Sequence, residues 1–527
     1  MVRPVKKRNL LPWLLATTSG VLYFVGFVGF GQWVLAWFCL VPLLAALRTA
    51  HGWRRALALS WWMGFVTHLG GYFWVVHLLQ TFAHLPLPLA FLGYVLLAAG
   101  QGASLAAFGL LAWALARRAG VSLGVAAVPA LVAVELLFPL LFPSYLANSQ
   151  ARVPLVTQIA DLGGVLLVSA LVALVNGAAY EVVAQVLDRR RLRVALPATA
   201  VVALAATLIY GALRIEAIEA RDAAAPKLRT AIVQANVGAA SKHERPGDGI
   251  RRYRRMTEEA MAMPGVGLVV WPESGLNRAV TPQVTNLTGQ VAREVRTSMI
   301  VGALRAAPGE KRRRIWNSAL AVAPGGDILA WYDKIELLAF GEYVPGDSIF
   351  PGIYDLLPYT SRFERGESRA PLPVGPWRLS TDVCYEDILP GFIRSLMGPI
   401  DDAGTRPHAM VNVTNDSWYG PHEPPIHLAL ATFRSIEHRR WLIRSTATGI
   451  SAFVDAVGRP VRTSGFETEE ILVHDVPMIE DGPTIYGRLG DWAGWLAALA
   501  CALGLLRPRL GRAHAAADEH GAPAAAA

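Results

Sequence analysis

Three residues in three separated stretches carry the chemistry this sequence can do. Cys384 sits in RLSTDVCYEDILP (residues 378–390), where an alternating strand pattern breaks into an acidic, helix-starting segment ahead of Pro390 and Gly391. A cysteine at such a bend is expected to expose its thiol, with the following amides placed to meet an anion. Glu273 follows Trp271 and Pro272 at the end of the strand-like run VGLVVWPES. In apolar surroundings, a carboxylate there can take the thiol proton and later deprotonate an attacking amine. Lys334 lies in YDKIELLAFGEYVP (residues 332–345). An ammonium beside the thiol would favour the thiolate and stabilise the oxyanion of a tetrahedral intermediate. With Cys384 as nucleophile, the set fits acyl transfer through a thioester.

Each residue also has a plainer reading. Cysteine is among the most buried residue types, a Glu after Pro is usually a helix-start charge, and a loop Lys is usually solvated. The three lie far apart in sequence, so spacing alone does not decide.

Composition narrows the setting. The chain has 527 residues, 53% of them hydrophobic and only 17% charged, against roughly 25% charged in soluble domains. Its mean hydropathy is +0.36. The formal net charge of +9 is concentrated in clusters beside apolar runs, which is positive-inside patterning rather than a nucleic-acid surface. Of the three cysteines, Cys39 and Cys501 lie within apolar runs. Cys384 therefore has no partner outside the membrane, and a disulfide framework is excluded.

The elements that must position the three residues follow from hydropathy. After a basic start (Arg3, Lys6, Lys7, Arg8), the apolar run 10–47 is long enough for two spans turning near residues 26–31. It lacks a convincing cleavage site and reads as retained. Further spans are predicted at about 56–79, 89–115, 121–142, 164–186 and 195–213, with an eighth at about 489–506. Basic clusters at Arg48/Arg54/Arg55, Arg117/Arg118, Arg189 to Arg193 and Arg507/Arg509/Arg512 all fall on one side. This places both termini in the cytoplasm and the region after the seventh span outside. Glu135 is the one deeply placed charge, for which pairing or a misplaced boundary is the expected account; Glu181 lies nearer the basic end.

From residue 226 to 485 the composition becomes that of a soluble domain. Strand-like runs at 228–237, 266–271, 299–306, 318–323, 378–384, 409–414 and 450–454 alternate with helical stretches at 250–263, 284–295 and 426–440. That alternation predicts an α/β layered domain. The expected organisation is a transmembrane domain at 1–225, a catalytic domain at 226–485, a last transmembrane helix at 486–512 and a disordered tail at 513–527.

WPES, K-x-x-L-x-x-F-G-E-Y-x-P and C-Y-E, in that order, resemble the Glu–Lys–Cys signature of the nitrilase superfamily. With the hydrophobic spans, the chain from Lys7 to Arg512 resembles the membrane-bound apolipoprotein N-acyltransferase family. Gln234 and Asn236 in VQANV, TNDSWYG (414–420), His427, Arg434, Glu437 and RSTATGISA (444–452) agree with it. The resemblance implies a nitrilase-like αββα sandwich on the outer side of a polytopic helical membrane domain of about eight spans. It implies Glu273 as general base, Lys334 as oxyanion stabiliser and Cys384 as nucleophile. Glu342 is expected to position or polarise this triad, and Glu386 with Tyr385 to shape the elbow, with plain salt bridging to the triad lysine or to Arg434 as the alternative for both carboxylates. Ala339, Ala447 and His243 depart from the family pattern and bear on substrate loops.

The implied reaction takes an acyl chain from a phospholipid onto Cys384 and passes it to the α-amine of a lipoprotein's diacylglyceryl-cysteine, at the inner membrane of the cell. No cofactor or metal motif appears; His422 and His427 are close, but lack zinc-like spacing. A monomer is expected. Segment 345–369, with Phe350 and Tyr354, is expected to be a membrane-touching lid. Trp418 and Asn415 are substrate-contact candidates. A tethered amidase using water shares the same acyl-enzyme, although one anchor would suffice for it. A transporter would need paired intramembrane polar groups, and the spans show little beyond Glu135, Glu181, His68 and His77.

Overall fold

The computed structural model describes residues 10–191, 193–238, 247–280, 287–307, 314–347, 349–350, 352–356, 361–398 and 405–507. The basic N-terminus, His243, Leu357, Tyr359, Arg509, Arg512 and the tail lie outside the described residues.

The first part is helical: α1 (Leu11–Gly26), α2 (Val41–Arg48), α3 (Trp53–Gly71), α4 (Val75–Thr81), α5 (Leu87–Gln101), α6 (Ala103–Ala119), α7 (Leu123–Leu137), α8 (Ala160–Leu187) and α9 (Ala195–Ala224). Leucines and valines coat the outer surface here, with Leu96, Val201 and Leu213 each more than 60% exposed. Such an all-round apolar surface suits a lipid surrounding. Among the described residues, three stretches are long and apolar enough to cross a membrane: Leu87–Ala119, Ala160–Leu187 and Ala195–Ala224. Other expected spans are interrupted. The run 10–47 turns after α1, as expected near residues 26–31, where Phe27 is extended and Gly31 takes a φ of 74°, but its second half is a 3₁₀ turn (Trp33–Trp37) and a short α2 rather than one helix. The run 56–79 breaks where Tyr72 leaves helical geometry at the end of α3. Glu135 accepts the Leu146 N–H at 2.7 Å and so fastens the loop after α7.

The helix α9 does not stop at residue 213, where hydropathy falls. It continues for 30 residues, about 45 Å at 1.5 Å per residue against a hydrocarbon layer of about 30 Å. Its last turns pack on the second part of the chain: Ile218 joins that core, and Asp222 accepts the Trp441 indole N–H at 2.7 Å.

The second part contains β1 (Lys227–Gln234), β2 (Leu268–Val280), β3 (Ser298–Ala306), β4 (Ile315–Val322), β5 (Ile328–Asp333), β6 (Leu372–Val374), β7 (Trp377–Val383), β8 (Ala409–Thr414), β9 (Leu442–Thr446), β10 (Ala452–Val454), β11 (Pro460–Thr463) and β12 (Glu470–Pro477). They form two six-stranded sheets, ordered β12-β1-β2-β3-β4-β5 and β11-β10-β9-β8-β7-β6. Parallel pairing of β1 with β2 and of β8 with both β7 and β9 fits strands that read as apolar runs joined by helical crossovers. The sheets share a core of Ile232, Val270 and Ile300 facing Val383, Val411 and Ile443. Helices α10 (Asp248–Met261) and α11 (Leu287–Val295) contact the first sheet; α12 (Pro390–Met397) and α13 (Pro424–His438) contact the second. This is the expected αββα sandwich. Helices α14 (Ile485–Leu489) and α15 (Trp492–Leu506) then return the chain to the first part. There Gly494 admits close contact with Leu136 and Leu166.

Candidate active site

Strands β2 and β3 stay in parallel register through Trp271 and Val301, and the ladder then shifts. That irregularity carries Pro272, Glu273 and Ser274 out of regular pairing, with Ser274 at φ 53°. Gly302 on β3 lets this bend approach: a Cβ there would stand 2.2 Å from the Pro272 carbonyl oxygen and 2.6 Å from the Glu273 Cα. Glu273 is buried, and its Oε1 accepts the Asn317 side-chain amide at 2.6 Å. The same Asn317 nitrogen donates to Glu342 Oε1 at 3.1 Å. Glu342 Oε2 in turn accepts the Lys334 ammonium at 2.7 Å and the Leu338 N–H at 2.9 Å. Lys334 directly follows β5 and is anchored by its backbone N–H on the Asn317 carbonyl at 2.8 Å.

Lys334 is 1% exposed. Burial works to lower its pKa, but Glu342 first, then Cys384, Glu273 and Glu386, raise it above the ordinary lysine value. The ammonium therefore stays charged at any physiological pH.

Cys384 ends β7 in a left-handed conformation, φ 55°. A non-glycine residue there stores about 1–3 kcal/mol of backbone strain, which the surroundings must hold. Glu386 does so. Its Oε2 accepts the Val383 N–H at 2.8 Å, and its Oε1 accepts the Ile335 and Glu336 N–H groups at 2.8 Å each. The Tyr332 hydroxyl donates to both oxygens. Fully buried, Glu386 is pushed up to about 7 by desolvation, against the Lys334 charge and these donors. It thus ties the strand leading to Cys384 to the loop carrying Lys334. Asn412 completes the hold by donating to the Cys384 carbonyl at 3.1 Å.

One expectation about the thiol needs correction. Cys384 is not exposed at the bend; only 8% of it is accessible, because the turn is folded under β8 and the Lys334 loop. The ammonium does favour the thiolate, as expected, but other effects are larger. Burial raises the thiol well above its ordinary value and the Glu273 charge adds to this, outweighing Lys334 and a hydrogen bond from Thr414. The same couplings place Glu273, Lys334 and Cys384 within one another's fields. Of the two supporting carboxylates, Glu342 forms the salt bridge to the lysine. Glu386 pairs with neither Lys334 nor Arg434, whose partner is Glu437 at 2.9 Å.

Tyr385 donates its hydroxyl to the Leu141 carbonyl at 3.0 Å, so the residue after Cys384 touches the helical part directly. Trp418 meets Phe82 edge-on at 5.1 Å between ring centres, also against that part. Asn415 is turned inward and accepts the Ser417 N–H at 3.3 Å, shaping the loop after β8. In the expected lid, Phe350 is 72% exposed. Tyr354 is held by donation to Asp347 at 3.1 Å, beneath the Arg362 guanidinium.

Residues 19–178 match the apolipoprotein N-acyltransferase N-terminal domain, and residues 229–484 match the carbon-nitrogen hydrolase family. An apolipoprotein N-acyltransferase of Pseudomonas aeruginosa is 30% identical over 525 residues, spanning 95% of this chain and 96% of that protein. The chain belongs to the apolipoprotein N-acyltransferase family. Another apolipoprotein N-acyltransferase, of Geobacter metallireducens, is 29% identical over 507 residues and 93% of both chains.

Several residues of this N-acyltransferase-family site gave no signal in the sequence. Asn317, which joins the two glutamates, sits in a strand reading IWNSALAV, where a lone Asn is indistinguishable from a surface residue. Behind the elbow lies a buried polar network. Asp387 takes His427 Nε2 at 2.8 Å and also the Arg444 guanidinium, while Asp416 takes Arg444 at 3.1 Å and His427 Nδ1 at 3.2 Å. Burial and Arg444 push His427 down, yet Asp387, Glu423 and Asp416 together raise it to about 10. His427 and Arg444 fell within the family resemblance; their shared role in bracing the elbow appears only in three dimensions.

Proposed function

We propose that this chain acylates the N-terminal cysteine of lipoproteins in two steps through a thioester on Cys384. The observation carrying this reading is the buried Glu273–Asn317–Glu342–Lys334 chain, converging on a strained cysteine at the junction with apolar helices. Glu273 takes the thiol proton as sulfur attacks the ester carbonyl of a phospholipid. The oxyanion forms against the Lys334 ammonium, which Glu342 orients. Collapse breaks the ester C–O bond, and the lysophospholipid leaves with the proton from Glu273. The α-amine of a diacylglyceryl-cysteine then attacks the thioester, giving a proton to Glu273. The C–S bond breaks and the thiol is restored.

Both substrates are anchored by acyl chains, and withdrawing a chain costs about 0.8 kcal/mol per CH2. A site held at the bilayer surface avoids that cost. The proposed topology has about eight spans, cytoplasmic termini, the sandwich on the outer face, Phe350 and Tyr354 on a lid that touches lipid, and a monomeric enzyme. The contact of Arg48 with Asp188 at 2.5 Å supports the ends of α2 and α8 lying on one side.

The test is substitution in the intact enzyme. Cys384→Ser is expected to insert and fold but form no stable thioester, and Lys334→Ala to cut turnover by about 10²–10³-fold at normal expression. Robust lipoprotein N-acylation by Cys384→Ser would refute the nucleophile assignment.

A further inference from the structure

Next to the elbow, between the sandwich and the helices, lies a cavity of about 60 Å³ lined by Tyr72, Trp74, Phe142, Tyr385, Tyr419 and Glu423, among others. That is room for a group of a few non-hydrogen atoms. Its walls are largely aromatic. Trp74 meets Tyr419 at 5.6 Å and Phe142 at 5.5 Å between ring centres, and Tyr72 stands 5.7 Å from Trp74. Tyr385, the residue after Cys384, is part of the wall, so the cavity adjoins the elbow.

Glu423 is the acidic residue of this wall. It is only 9% exposed. Its Oε1 stands 3.6 Å from His427 Nδ1, and its buried Oε2 has no hydrogen-bond partner among the described residues. A carboxylate oxygen in that state is costly unless a donor reaches it. The neighbouring charges do not supply one. Asp387 and Asp416 are already matched by Arg444 and His427, leaving Glu423 with only the longer approach of its Oε1 to His427 Nδ1. Asp416, Glu423 and His427 do bring three possible metal-ligand atoms within 4.8 Å of one another. Both His427 nitrogens face carboxylates, however, and the residue is cationic, so neither offers a lone pair to a metal.

An aromatic box with one open carboxylate oxygen has the chemistry of an ammonium site. We propose that Glu423 and the rings of Trp74, Tyr72 and Tyr419 bind a substrate's primary ammonium group beside Cys384. This rests on the acyl-transfer reading above, in which two groups of that kind reach the site: the headgroup of an amine-bearing phospholipid, and the α-amine of the acceptor. Burial pushes Glu423 up to about 8, with His427 opposing; a bound cation would hold it ionised and release its proton.

The experiment uses the full chain in lipid nanodiscs and follows the Cys384 thioester by intact-protein mass spectrometry, for wild type and Glu423→Gln. Thioester formation is measured with phosphatidylethanolamine and with phosphatidylglycerol of the same acyl chains. Discharge is measured against concentration of a diacylated lipopeptide with a free α-amine. If the headgroup binds there, Glu423→Gln abolishes a preference for phosphatidylethanolamine of about tenfold or more. If the acceptor binds there, the variant raises the half-saturating lipopeptide concentration about tenfold, with little change in the maximal discharge rate. Either result supports the ammonium site. Donor preference and half-saturation both within twofold of wild type would overturn it, as would an equal loss with every substrate, which marks a structural role. Failure of wild type to form any thioester would contradict the acyl-transfer reading itself.

Discussion

Cys384 is a strained, buried cysteine whose surroundings disfavour the thiolate. Burial and the Glu273 charge raise the thiol, and Lys334 only partly offsets them. In the proposed mechanism, proton removal therefore accompanies attack, with Glu273 as the base. Glu273→Gln is expected to cut thioester formation by about 10²–10⁴-fold. It should not slow iodoacetamide labelling of Cys384 at pH 8, because removing the carboxylate removes a charge that disfavours the thiolate. Labelling slowed in parallel with turnover would argue against this electrostatic account. Glu386 accepts four donors and cannot be replaced by its amide without setting N–H against N–H. Glu386→Gln should cost about 1–3 kcal/mol in unfolding free energy, as well as thioester formation. His427 adds a pH dependence. Its folded pKa of about 10 exceeds the ordinary 6.5, so its stabilisation is complete below 6.5 and is lost as pH rises towards 10. The raised Glu423 acts in the same direction. Thermal unfolding midpoints should fall from pH 7 to 10 in wild type, and less steeply in His427→Gln. The three central residues were legible because each sits in a distinctive local motif. Asn317, Glu423 and the clasp made by Glu386 were not, since their roles come from partners dozens of residues away.

At the scale of elements, the site depends on two backbone approaches. Gly302 lets β3 pass against the bend at Glu273. Gly302→Ala must displace that bend, and a loss of thioester formation of about 10²-fold or more is expected, measured in the purified enzyme. The second is the start of α8, where Gly163 and Gly164 leave helical geometry. The break frees the Val165 N–H to donate to Glu437 on α13 at 3.0 Å, so a kink in a membrane helix becomes a socket for the catalytic part. Hydropathy placed the start of this span at about residue 164, at the break itself, but not the helical turn that precedes it from Ala160. Strands were legible where they are buried on both faces, as in β8, AMVNVT. β9 and β12 escaped because LIRST carries a buried arginine and EILVHDVP mixes charges into its pattern. The continuation of α9 past residue 213 escaped for a related reason: tertiary packing at Ile218 and Asp222 sustains a helix that hydropathy no longer marks.

At the scale of the whole molecule, the two parts are joined by buried charge as well as by apolar contact. Asp161 at the start of α8 accepts Tyr210 at 2.7 Å, Arg214 at 2.9 Å and Arg439 of the sandwich at 2.8 Å. Arg439 also donates to the Gln158 carbonyl at 3.0 Å and to Ala456. Removing one member leaves the others charged and dry, which costs about 3–5 kcal/mol. Asp161→Asn is accordingly expected to lower the unfolding midpoint and to open the junction to limited proteolysis. Such a rigid joint keeps Cys384 at a fixed distance from the helices and presents it to substrates that stay in the bilayer. The most direct test is intact-protein mass spectrometry of wild type and Cys384→Ala after incubation with phospholipid. A mass increase of one acyl chain is expected in wild type only, discharged by a diacylated lipopeptide and not by water. An adduct discharged by water alone, or an adduct of equal yield on Cys384→Ala, would contradict thioester-mediated transfer.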